Sequence, residues 1–226
     1  DASPYLNNVH IDLSLGAVAG SEVVISNNIM NINKQAANYN CYNILAQNDA
    51  SNSNIKNYII NNITYFSNLN SSNGHGIRAH EGMHYISNNT VHGASMGINC
   101  YAEGTCIAKN NIAQKFSGTY DAASDYNLSF TTNLPGGTND VGDSSVMFRN
   151  EANFDLRLSP RDKNARAKGG DLSADVNFAF SQDILGKTRV TWDRGAHQAP
   201  IGIYRSVGPT NTTSLQVGTG NDLTIS

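Results

Sequence analysis

Residues 75–91 and 96–113 carry the same short text twice. The first copy reads HGIRAHEGMHYISNNTV and the second MGINCYAEGTCIAKNNIA. With Gly76-Ile77 set over Gly97-Ile98, Glu81-Gly82 falls on Glu103-Gly104 after a slip of one residue. Both copies then run through a β-type segment into Asn-Asn and a branched residue. An internal repeat this short constrains the fold more than composition does, because one unit cannot bury its own apolar face and must stack on its copies.

The repeat extends in both directions. Asn-Asn recurs at Asn7-Asn8, Asn27-Asn28, Asn61-Asn62, Asn88-Asn89 and Asn110-Asn111, with steps of 20, 34, 27 and 22 residues. Val9, Ile29, Ile63, Thr90 and Ile112 follow the pairs, and Ile25, Ile59, Ile86 and Ala108 stand two residues before the later ones. A second strand recurs as YNILA (42–46), HGIRA (75–79) and MGINC (96–100). Segments such as VVISNNIMNI are rich in β-branched residues, and helical spacing is scarce. The period fits one coil of a β-helix. Asparagine suits a coil corner because it tolerates left-handed backbone angles and its amide can bond to copies above and below. Asn28, Asn62, Asn89 and Asn111 are therefore read as a structural ladder.

These five coils, followed by SDYNLSF (124–130), resemble the right-handed parallel β-helix proteins of the pectate-lyase-like superfamily. NFDLRLSP (153–160), GGDLS (169–173), DILGKTR (183–189) and DRGAHQ (193–198) are similar to the C-terminal end of bacterial secreted β-helix proteins of the choice-of-anchor type. The last element departs from that pattern at Arg194, His197 and Gln198. The resemblance covers residues 1 to about 198. It implies an all-β, right-handed parallel β-helix of about five coils, and a bacterial protein that is secreted or held at the cell surface. That family mixes lyases and adhesins, so the resemblance fixes no single activity.

The chain divides into coils at 1–130, a crossover and C-terminal cap at 131–198, and the start of a further β-module or stalk at 199–226. The crossover is marked by Pro135 and Gly136-Gly137. A cap is expected because an open solenoid end exposes backbone donors and an apolar cross-section. Loop-like AQNDASNSN and SNLNSSNGH stretches interrupt the second and third coils, and insertions collect on the face that binds. The opening DASPYLNNV reads as the start of a mature or excised piece of a longer secreted protein.

Net charge is −3 and no basic stripe appears, which argues against nucleic-acid binding. No 18-residue apolar run is present to insert into a membrane as a helix. Of three cysteines, Cys100 and Cys106 flank a turn; a disulfide between them and three buried free thiols are both open readings.

His80-Glu81-Gly82-Met83-His84 matches the zinc-protease pattern H-E-x-x-H, which works only on a helix. Gly82 and strand-like flanks oppose a helix, so the motif is read as a β-helix corner carrying two histidines. No cofactor is expected apart from Ca2+, for which Asn139, Asp140 and Asp143 offer oxygen ligands on a Gly-rich loop. Tyr39, Tyr42, Tyr65, Tyr101 and Tyr120 offer apolar faces with polar tips for stacking on sugars. The ligand-binding candidates are Tyr65, His75, Arg78, His80, His84, Tyr101 and Glu103, with His92 also among the outward polar residues. The expected function is a surface scaffold or adhesin binding polysaccharide. The alternative, implied by the superfamily, is a polysaccharide lyase or glycoside hydrolase on acidic glycans, with Arg78 or Lys109 as base. Self-association through open solenoid ends is a further expectation.

Overall fold

A computed structural model describes residues 6–12, 20–33, 40–48, 55–67, 74–101, 104–200, 204–207, 213–217 and 221–225; for 6–12 and 204–225 it describes the backbone alone. The chain is all-β, and most of its strands pair in three parallel sheets. Sheet A orders β1 (Leu6–Asp12), β4 (Cys41–Gln47), β7 (Gly74–His80), β10 (Ile98–Cys100) and β13 (Phe116–Gly118). Sheet B orders β2 (Glu22–Ser26), β5 (Lys56–Ile60), β8 (Gly82–Ser87) and β11 (Gly104–Lys109). Sheet C orders β3 (Ile29–Ile32), β6 (Ile63–Phe66), β9 (Thr90–His92), β12 (Ile112–Ala113) and β14 (Leu128–Ser129). The chain therefore visits A, B and C in turn and returns, an order compatible with a β-solenoid. A parallel bridge from Lys109 to Asp125 stands in for the fifth visit to sheet B.

The repeat seen in the sequence is the register of these sheets. Ile77 pairs with Ile98, Gly82 with Gly104, and Ile44 with Ile77. The two asparagines of each pair do different work. Asn27, Asn61, Asn88 and Asn110 take φ between 52° and 60°, the left-handed turn between sheets B and C. The second residue of each pair builds the ladder. Asn28 donates from its backbone N (3.0 Å) and Nδ2 (3.0 Å) to Asn62 Oδ1. Asn62 donates likewise to Asn89, Asn89 to Asn111, and Asn111 to Asn127. Each amide also reaches back to a strand carbonyl, as Asn62 Nδ2 does to Ile25 at 2.9 Å. Asn62, Asn89, Asn111 and Asn127 are fully buried; their donors and acceptors must be matched, and this arrangement matches them.

Inward side chains of the three sheets form one core, including Ile44, Ile59, Phe66, Ile77, Ile86, Val91 and Ile98. Cys100 and Cys106 are joined by a disulfide, and Cys41 is buried and forms no disulfide among the described residues. Two further clusters lie on outer faces. Ile63, Ile112 and Leu128 of sheet C pack against Val146, Phe148, Leu156, Leu158 and Ala196. Tyr58 and Tyr85 of sheet B stack at 5.1 Å, and Phe178 lies 4.5 Å from Tyr58.

Residues 146–199 hold few strands, chiefly the antiparallel pair β15 (Phe148–Asn150) and β16 (Asp155–Leu158). They are tied to the parallel sheets through the asparagines at the corners between sheets B and C. Asn61 receives Arg189 Nη2 at 2.9 Å and donates to the Gln182 carbonyl at 2.8 Å. Asn88 donates to the carbonyls of Asp193 and Gly195, and Asn110 exchanges bonds with Gly170. This segment thus lies along the row of corners as well as on sheets B and C. The C-terminal strands β17 (Tyr204–Val207), β18 (Thr213–Val217) and β19 (Asn221–Ile225) form a separate antiparallel sheet.

Candidate functional site on the outer face of sheet A

Alternation along β4, β7, β10 and β13 sends Ile44, Ile77, Ile98 and Phe116 inward, and the residue after each outward. Register then sets Leu45, Arg78, Asn99 and Ser117 side by side on the outer face. The next outward row holds Gln47 and His80, with Tyr101 just beyond β10. Among the described residues, the hydrogen bonds and ring contacts of 146–199 to the three sheets go to B and C; none goes to this outer row.

Arg78 is the centre of the face. Its Nη1 donates to the Tyr42 hydroxyl at 2.8 Å. Its guanidinium carbon lies 5.5 Å from the Tyr42 ring centroid and 4.9 Å from that of Tyr101. Both distances fall within cation–π range. His80 stacks on Tyr101 at 4.8 Å, and His75 tilts against Tyr42 at 5.0 Å. Tyr42 and His75 are buried, and Tyr101 is half exposed at the rim. Burial, followed by the charges of Arg78 and Lys115, pushes His75 down to about 4, so it is neutral near pH 7. Arg78 Nε, His75 Nδ1 and Ser117 Oγ are buried and without hydrogen-bond partners among the described residues. No carboxylate pairs with Arg78 among them either. A planar guanidinium held between two aromatic faces, with no carboxylate to neutralise it, is suited to holding an oxyanion.

The structure brings four of the expected ligand-binding residues to this face: His75, Arg78, His80 and Tyr101. Tyr65 is elsewhere, on sheet C, stacked against Phe154 at 4.9 Å. His84 points inward and is buried; its Nε2 contacts the Glu81 carbonyl and its Nδ1 lies 3.4 Å from Asn57 Nδ2. Burial holds it at about 4 against the opposing effect of the Glu81 carbonyl. Glu103 and Tyr39 lie outside the described residues. Tyr120 is engaged by the Ile98 carbonyl at 2.8 Å. Lys109, weighed as a base, is paired with Asp175 at 2.6 Å. Glu81 has φ 54° and Gly82 φ 72°, so the H-E-x-x-H text occupies the corner between β7 and β8, as read from its glycine and flanks.

The calcium candidates serve the backbone. Asp140 Oδ1 accepts from Asn127 N and Nδ2, and Oδ2 accepts from Gly136 N and Gly137 N. Asn139 donates from N and Nδ2 to the Asp125 carboxylate, and its carbonyl receives Arg194 Nη2. Asp143 is exposed and apart from these bonds. Among the described residues, no cluster of three or more His, Cys, Asp or Glu is arranged to hold a metal.

Sequence reasoning named Tyr42 only as one of several tyrosines and missed Asn99, Ser117 and Lys115. Strict alternation from Ile98 and Phe116 finds the first two, since outward positions follow from the inward ones. No family model matches the chain, and neither a curated protein nor a solved structure matches it.

Proposed function

We propose that residues 1–130 form a right-handed parallel β-helix of about five coils, with 131–198 crossing over and clamping it. The module acts as a secreted bacterial surface scaffold or adhesin that binds an acidic polysaccharide on the outer face of sheet A. Residues 199–226 begin a further β-module or stalk. The cyclic order of strands through three sheets supports the coil reading. Coverage of sheets B and C by 146–199 supports sheet A as the working face.

The observation that carries the ligand class is Arg78, held between Tyr42 and Tyr101 with no carboxylate partner among the described residues. A uronate or sulfate group supplies the oxyanion, and sugar C–H faces match the tyrosine rings. The test is affinity electrophoresis and calorimetry with pectate, alginate and a sulfated glycan. Arg78→Ala should weaken binding about tenfold or more, the scale of one charged hydrogen bond. Arg78→Lys should recover only part of it, because a point charge cannot replace the planar fork. Unchanged binding in Arg78→Ala would remove this face as the site. Release of unsaturated sugar, followed by its ultraviolet absorbance, would replace the adhesin reading with a lyase.

A further inference from the structure

Sheet C carries a recess, separate from the Arg78 face and opposite to it in charge. His92 on β9, Phe130, Phe148, Asp143 and Glu151 line a cleft of about 470 Å3. That volume falls within the roughly 300–1,000 Å3 of small-molecule sites. His92 is wedged between two aromatic rings, with Phe130 at 6.1 Å and Phe148 at 5.8 Å, both edge-on. Its Nε2 lies 3.4 Å from Glu151 Oε1, and its Nδ1 is buried without a partner among the described residues. Burial lowers the His92 pKa, against the pull of Glu151, which favours a neutral ring.

The formal charges on the wall are then Asp143 and Glu151, and no Lys or Arg lines it. Neither carboxylate is committed to folding. The Glu151 side chain is 56% exposed and its one ion-pair partner among the described residues is His92, and the Asp143 carboxylate makes no hydrogen bond or ion pair among them. The remaining lining offers aromatic surface from Phe130 and Phe148, an amide from Gln114 and hydroxyls from Ser144 and Ser145. A ligand complementary to this set has an ammonium group, several hydroxyls and an apolar ring face.

We propose that this cleft binds an amino sugar with a free amine. The ammonium pairs with Asp143 and Glu151, the pyranose C–H face lies on Phe130 and Phe148, and hydroxyls bond to Gln114, Ser144 and Ser145. Such a ligand is cationic where the ligand of the Arg78 face is anionic, so the two sites select different sugars.

The test is calorimetric titration of the whole chain with a glucosamine tetrasaccharide at low salt, beside its fully N-acetylated form. Acetylation removes the positive charge and keeps the ring, so the acetylated tetrasaccharide should bind at least about tenfold more weakly. Glu151→Gln and Asp143→Asn should each cost about tenfold, the scale of one charge-assisted hydrogen bond. Both variants are expected to fold. Glu151 is largely exposed, and asparagine tolerates the φ of 48° at position 143. Thermal melts check that both do. Glu22→Gln, which removes the same charge from sheet B, should leave affinity within about twofold. Equal binding of the two tetrasaccharides, no binding at millimolar ligand, or an equal loss in Glu22→Gln would each overturn the proposal.

Discussion

Replacing Asn89 by alanine tests whether the ladder holds the stacked parallel strands together. The Asn89 side chain is fully buried and accepts from Asn62 N at 2.9 Å and Asn62 Nδ2 at 3.0 Å. Truncation leaves two N–H hydrogens unmatched, that of the Asn62 backbone and one of the two on Asn62 Nδ2, whose other stays on the Ile25 carbonyl. Asn111 Oδ1 keeps its bond from the Asn89 backbone N at 2.9 Å, so the damage falls on one side. Each buried unsatisfied group costs about 1–3 kcal/mol, so Asn89→Ala should destabilise by about 2–6 kcal/mol. Asn28→Ala provides the contrast. Asn28 is exposed, and its loss still leaves Asn62 Oδ1 accepting from the backbone of residue 28. That change should cost about 1 kcal/mol or less. Urea unfolding, followed by far-ultraviolet circular dichroism and by the fluorescence of the single tryptophan, Trp192, reads both. At an m value of about 3 kcal/mol/M, a 4 kcal/mol loss moves the midpoint down by about 1.3 M. If Asn89→Ala falls within about 1 kcal/mol of Asn28→Ala, the ladder is incidental and the reasoning fails.

Two other predictions concern the folded state as a whole. His75, His84 and His197 are each pushed to about 4, chiefly by burial, whereas in the unfolded chain they titrate near 6.5. The unfolded state therefore binds more protons between these values, and stability should be lost as pH falls from about 6.5 toward 4. His84→Gln should flatten that loss; a urea midpoint unchanged across the window would show that the rings are not buried. Gly118 has φ 92°, and a Cβ there would overlap the Cys100 carbonyl, while Gly186 has φ 73° and open space around it. Gly118→Ala should cost about 2–5 kcal/mol, overlap added to strain, against about 1–2 kcal/mol for Gly186→Ala. Equal melting shifts in the two variants would contradict the close approach at position 118.

The Asn-Asn corners were legible in the sequence because each corner makes two demands on two consecutive residues. One must accept a left-handed backbone and the other must pass on an amide. The same geometry continues at Tyr126-Asn127, where a tyrosine takes φ 59°, and ends at Asp140, so a search for Asn-Asn stops one step early. Outward residues such as Arg78 and His80 were legible from alternation. Whether an outward face stays open was not, because that depends on contacts such as Arg189 to Asn61, which span 128 residues and do not repeat. Tyr65 and Lys109 lie off the sheet A face for that reason: both point outward, and both meet the C-terminal segment. His84 was misplaced differently, since the shift at Gly82 exchanges inward and outward after the corner.

The ladder also has a direction, and that limits how such a molecule can grow. Every amide hands its donors to the next acceptor in the same sense, from Asn28 toward Asn127. Asp140 receives and has nothing to hand on, because a carboxyl group carries no amide hydrogens. Its other oxygen is already closed by Gly136 and Gly137. A duplicated unit inserted anywhere before Asp140 finds a donor behind it and an acceptor ahead, and the row simply lengthens. One added after Asp140 meets two facing acceptors. Lengthening by duplication is thus open upstream and closed downstream, and a single aspartate sets the end of the row.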